Sequence, residues 1–164
     1  KVAFEILPGS KFMIITQDDR RRIESAVLRK GLNPDRIILK KPAFCEIPPL
    51  ISSSGAGLFF INPYKKFGSS PIKLGEFLSC GIPVIINGGV GDTEELVNLN
   101  RVGVVLNRFD RAGYEEALFK FLELMKEGKD LYRRCRITAR QYLSLELGTE
   151  KYRNVYERVS RCIA

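Results

Sequence analysis

Residues 69–87 read SSPIKLGEFLSCGIPVIIN, a small-residue turn, a short helix and a buried strand in one run. Ser70 followed by Pro71 predicts an N-cap with proline at the first helical position, where its missing N–H is no loss. The free amides of that first turn and the positive end of the helix dipole form an anion site, to which Lys73 adds a full charge. Glu76 lies on the same face, about 4.5 Å further along the axis at 1.5 Å per residue. A carboxylate there suits ribose hydroxyls while the first turn holds phosphates, so Ser69, Ser70, Lys73 and Glu76 together predict a site for a nucleoside diphosphate. A lysine and a glutamate three apart are by themselves ordinarily a solvated pair worth about 0.2–0.5 kcal/mol. That plain reading leaves unexplained the Ser-Ser-Pro turn before them and the strand after them.

Leu74, Phe77 and Leu78 have core spacing on the other face of the helix, and Cys80-Gly81 ends it before Pro83 and the apolar run Val84-Ile85-Ile86. The turn therefore sits where a strand emerges. This stretch resembles the nucleotide-binding half of GT-B fold glycosyltransferases, group 1 and retaining type, in the variant that reads S-P-x-K-x-x-E and then small-Gly-x-Pro-Val-Ile. Those positions are here Ser70, Pro71, Lys73, Glu76, Cys80, Gly81, Pro83, Val84 and Ile85. The likeness runs on through Gly91-Asp92-Thr93-Glu94 and Val102-Gly103-Val104-Val105, and back through FMIIT, DRIILKK and AGLFFINP as successive strands. One position departs from the pattern. Gly68 stands eight residues before Glu76, where the family has a glutamate that contacts the transferred sugar.

The resemblance implies a transferase that moves a sugar from a nucleotide-sugar donor to an acceptor glycan or lipid-linked sugar, in glycan or surface polysaccharide synthesis, with no separate cofactor and no obligatory metal. It implies that residues 1–164 are one donor-binding domain of a two-domain enzyme whose acceptor-binding N-terminal domain lies elsewhere, so that no turnover is expected from this half alone. Base recognition falls, by fold analogy only, to the loop Lys41–Phe44. No residue stands out as catalytic. The readings kept beside this one are a degenerate GT-B domain retained for binding or assembly, and a sugar-nucleotide epimerase or phosphorylase on the same fold.

Composition narrows the other classes. The 164 residues are 45% hydrophobic and 28% charged, an ordinary globular balance. No apolar run approaches the roughly eighteen residues of a membrane span. The absence of histidine removes the commonest general base and any imidazole triad. Four separated cysteines without a C-x-x-C pair read as free thiols in a reducing cytoplasm. The net charge of +8 is uneven: residues 1–41 carry 10 basic and 5 acidic side chains, 42–125 carry 7 and 9, and 126–164 carry 10 and 5. With no RNA-binding aromatic motif, no nucleic-acid partner is expected, and the basic ends leave room for peripheral membrane association.

Short β-branched or aromatic runs alternate with segments of helical period, which predicts an α/β fold: a doubly wound, Rossmann-like parallel sheet followed by C-terminal helices. Strands are expected at 12–16, 37–39, 56–61, 83–87 and 102–106. Helices are expected at 2–8, 19–31, 44–51 (broken by Pro48-Pro49), 92–99, 132–145 and from Thr149 onward, the last capped by Thr149. The strand at 56–61 reads as buried on both faces. In a doubly wound order the central strand, flanked by those at 12–16 and 57–61, would be absent, so the sheet should be incomplete. Tyr152, Val155, Tyr156, Val159 and Ile163 form a stripe on the last helix, which in the family reaches toward the N-terminal domain and elsewhere is usually plain core.

Overall fold

The computed structural model describes residues 1–62 and 69–163. Gly68, the departure from the family pattern, lies outside the described residues. Five strands, β1 (Phe12–Ile15), β2 (Ile37–Lys40), β3 (Gly57–Phe59), β4 (Val84–Asn87) and β5 (Gly103–Leu106), alternate with helices α1 (Val2–Ile6), α2 (Arg20–Arg29), α3 (Ile47–Ser52), α4 (Ile72–Ser79) and α5 (Thr93–Asn100). Three helices close the chain: α6 (Arg111–Met125), α7 (Lys129–Tyr142) and α8 (Leu145–Ile163). All strand pairs are parallel, and they form two sheets, β1-β2 and β3-β4-β5. Among the described residues β1 and β3 do not pair, so each keeps an open edge where the doubly wound order would place one more strand.

β4 is buried at all four positions, with a strand on each side and α4 packed against it. Around it, Leu74 and Leu78 of α4 pack with Val84, Ile86, Val97, Val102 and, from α7, Leu131 and Cys135. Each fully buried leucine contributes about 1.5–3 kcal/mol. Local chemistry sets the boundaries. Asp19 caps α2 by accepting from the Arg21 N–H at 2.9 Å, and Gly81, at φ 81°, takes the left-handed turn that lets the chain leave α4 for β4.

Several expectations are corrected. α4 begins one residue later than the Ser-Pro reading: Pro71, at ψ 121°, is itself the N-cap, and Ile72 is the first helical residue. Pro48-Pro49 do not break a helix. A 3₁₀ turn at Phe44–Glu46 precedes them, and both prolines sit in the first turn of α3, where no intrahelical N–H is required. β3 is not buried on both faces, since Leu58 is exposed beside the open edge. α7 starts three residues before Tyr132 and stops short of Leu145. α8 begins at Leu145, with the Ser144 hydroxyl accepting from the Leu147 N–H at 3.2 Å, which places Thr149 inside the helix and not at its cap. For the α8 stripe the expectation of a face reaching beyond this domain stands and the plain-core alternative does not: Tyr152, Val155, Tyr156 and Val159 are all exposed.

Candidate functional site

α4 leaves from the carboxyl-end side of the β3-β4-β5 sheet, where open α/β sheets bind ligands. The Leu74 N–H turns back to the Pro71 carbonyl at 3.0 Å. Among the described residues no carbonyl stands behind the amides of Ile72 and Lys73 at the head of the helix, the arrangement that attracts an anion.

The four residues singled out by sequence do not all converge. Lys73 and Glu76 meet each other, with Nζ 3.5 Å from Oε2 and side chains 66% and 30% exposed. At that exposure the pair stabilises by a few tenths of a kcal/mol, about what any surface pair gives, and either partner is free to turn to a ligand. Ser70 and Glu76 line a cavity of about 550 Å³, whereas Ser69 and Lys73 are not on its wall. The volume is that of an ordinary small-molecule cleft.

The opposite wall comes from α3 and the turn before it, namely Phe44, Ile47, Pro48 and Ile51, with Leu143 closing one side. The turn is held by Glu46, whose carboxylate accepts from the Ala43 N–H at 2.7 Å. Phe44 lines the cleft while staying 84% exposed, a ring left uncovered beside an aliphatic wall. Of the loop Lys41–Phe44 only Phe44 reaches the cavity. Sequence reasoning missed Ile47, Pro48 and Ile51, whose sole signal was an apolar helix too short to bury itself.

A second cluster marks the ends of the strands. Asn87, the last residue of β4 and 3% exposed, accepts from the Ile61 N–H at 2.7 Å and donates to the Ile61 and Gly88 carbonyls, both at 2.8 Å. It continues the β3-β4 connection past the point where the backbone ladder stops at Phe59 and Ile86. Glu94 accepts from the Gly89 N–H at 3.4 Å. Phe60, Phe109 and Tyr114 form an edge-to-face trio with centroids 5.9–6.4 Å apart. Asn87 had no role in the sequence reading, although a polar residue closing a wholly apolar strand was its visible sign. Among the described residues no group of three or more His, Cys, Asp or Glu side chains is placed to hold a metal ion.

No family model matches the chain, and no curated protein matches it. Among solved structures, a sucrose-phosphate synthase from Thermosynechococcus elongatus, a GT-B glycosyltransferase, matches 98% of this chain with a TM-score of 0.76 at 18% sequence identity. The chain spans 41% of the length of that protein. The fold is thus that of part of a GT-B chain: parallel strands, here in two sheets, alternating with helices and followed by C-terminal helices.

Proposed function

We propose that this chain is the donor-binding half of a glycosyltransferase that takes a nucleoside diphosphate sugar and passes the sugar to a glycan or lipid-linked acceptor bound elsewhere in the full-length protein. The observation that carries this reading is the cleft of about 550 Å³ that has the head of α4 and Glu76 on one wall and Phe44 with Ile47 and Pro48 on the other. In this reading the amides of Ile72 and Lys73 and the Lys73 ammonium hold the diphosphate, Ser69 and Ser70 shape the turn, and Glu76 accepts from the ribose hydroxyls. Phe44 lies against the base.

Such a site assists the reaction by stabilising negative charge on the departing nucleoside diphosphate, which needs fixed amides and a cation and no proton transfer. Free thiols at Cys45, Cys80 and Cys135 are in keeping with a reducing cytoplasmic setting. The second reading, a degenerate domain kept for binding or assembly, is favoured by Gly68, which leaves no carboxylate where the family contacts the sugar.

Calorimetry of the full-length protein with UDP, GDP, ADP and CMP separates the two, because a degenerate site gives no heat with any of them. Lys73→Ala is expected to weaken every nucleoside diphosphate by about 1.5–3 kcal/mol and to spare the free nucleoside. Glu76→Ala is expected to weaken ribose-bearing ligands, nucleosides included. Unchanged affinities in both variants would return the two residues to the role of a surface pair.

A further inference from the structure

The two walls of the cleft between α3 and α4 differ in what they can offer a ligand. On the α3 side the side chains are Phe44, Ile47, Pro48 and Ile51, which carry no polar atom. The backbone donors of that side are already bonded or missing. The Ala43 N–H goes to the Glu46 carboxylate at 2.7 Å, the Glu46 N–H to the Ala43 carbonyl at 3.0 Å, and the Ile47 N–H to the Phe44 carbonyl. Pro42, Pro48 and Pro49 have no N–H. That leaves the amides of Phe44 and Cys45, and Cys45 is not on the wall. The head of α3, which in another sequence would present free amides, therefore offers none from its two prolines. The α4 side is polar along its length, with Ser70 at the head, Glu76 in the helix and Ser79 about 4.5 Å further along the axis. A serine hydroxyl both donates and accepts, so Ser79 meets a carbonyl or an amino group alike. Among the described residues no lysine, arginine, asparagine or glutamine lines the cleft.

We propose that this cleft holds the base by its face and does not read its edge, so that the donor is a purine nucleoside diphosphate sugar selected by ring size and not by exocyclic groups. The inference rests on the nucleotide reading of the cleft and adds the class of base to it. A site that hydrogen-bonds one particular edge rejects a ligand lacking it by roughly 10⁴-fold, because buried polar groups are then left unpaired. The wall that carries Phe44 has no polar side chain to leave unpaired, so exchanging a carbonyl for an amino group on the base changes little there. Ring area is different. Every base has a π-face for Phe44, and the double ring of a purine covers more of that ring and of the aliphatic wall beside it than a pyrimidine does. Glu76 stays with the ribose hydroxyls, which all these nucleotides share.

The test is calorimetry of the full-length protein with ADP, IDP and GDP, which share the purine ring and differ only at its edge, and with UDP and CDP, which share the pyrimidine ring. Dissociation constants are expected to agree within about threefold inside each set, and the purines to bind about tenfold more tightly than the pyrimidines. Phe44→Ala is expected to weaken the purines about tenfold and bring the two sets together, and Phe44→Trp to restore the gap. Phe44 is 84% exposed, so the unfolding midpoint should not move, and lost affinity at an unchanged midpoint supports the proposal. A difference of about tenfold or more between ADP and GDP, or between UDP and CDP, means that the edge is read. That result overturns the inference and leaves the nucleotide reading standing. Pyrimidines that bind as tightly as purines overturn it in the same way, as do affinities that Phe44→Ala leaves unchanged. Absence of heat with all five ligands overturns the nucleotide reading itself, and this inference with it.

Discussion

Asn87 offers the sharpest test of how the strand ends are held. Its amide makes three hydrogen bonds to backbone groups of Ile61 and Gly88 at 2.7–2.8 Å, in a position 3% exposed. Asn87→Asp keeps the shape and the bond from the Ile61 N–H but sets a carboxylate oxygen against the Ile61 and Gly88 carbonyls. Two donated bonds are lost and a charge is buried without a cation, which together amount to about 3–5 kcal/mol. At roughly 2–4 °C per kcal/mol for a domain of this size, the melting temperature should fall by about 6–20 °C at pH 7.

The pH dependence fixes the mechanism. Burial and facing carbonyls raise the folded-state pKa of the new carboxyl above its unfolded value of about 3.9. Below that unfolded value both states are protonated, the carboxyl donates one bond again, and the deficit is small. The deficit grows as pH rises through about 4, because the unfolded chain loses the proton while the folded chain retains it, and it levels off above the folded pKa. Melting curves of the natural chain, Asn87→Asp and Asn87→Ala from pH 4 to pH 8 would show this. Asn87→Ala removes all three bonds without adding a charge, so its deficit should be about 2–4 kcal/mol at every pH. A deficit of Asn87→Asp that is the same at both ends of the range would refute the assignment of its side-chain bonds.

Two further outcomes follow from side chains that sequence reading passed over. Arg36 donates to the carbonyls of Phe4, Leu7 and Ser10 and to the Ser10 hydroxyl at 2.7–3.0 Å, and its guanidinium lies 4.0 Å over the Phe4 ring. Arg36→Lys keeps the charge but not the fork, and is expected to cost about 1–2 kcal/mol and to speed proteolysis within residues 1–11 while α4 to α7 stay protected. A midpoint and a cleavage pattern like those of the natural chain would count against that role. Burial pushes the Cys135 thiol up to about 11 from an ordinary 9.0. The folded chain therefore holds this proton after the unfolded chain has released it, and stability is expected to fall between about pH 9 and pH 11. In Cys135→Ala that part of the decline should vanish, and in the native state exposed Cys45 should react with a thiol reagent well before Cys135 does.

Much of the chain was legible in its sequence because the signals were local. Strand and helix order came from the period of apolar residues, and the turn at Gly81 from the one residue that takes φ 81° without strain. The head of α4 was located to within one residue, the error lying in which of Ser70 and Pro71 takes the extended conformation. What depends on residues distant in the chain was decided only by the tertiary structure. What packs on the face of β3 that carries Leu58 determines if that side chain is buried, and nothing within residues 57–59 records it. The cleft exists because α3 packs across α4, bringing Phe44 and Ile47 opposite Ser70 and Glu76 over a separation of more than twenty residues. The stripe on α8 shows the same limit from the other side. Periodicity states which residues share a face, but what covers that face depends on surfaces the helix's own sequence does not contain.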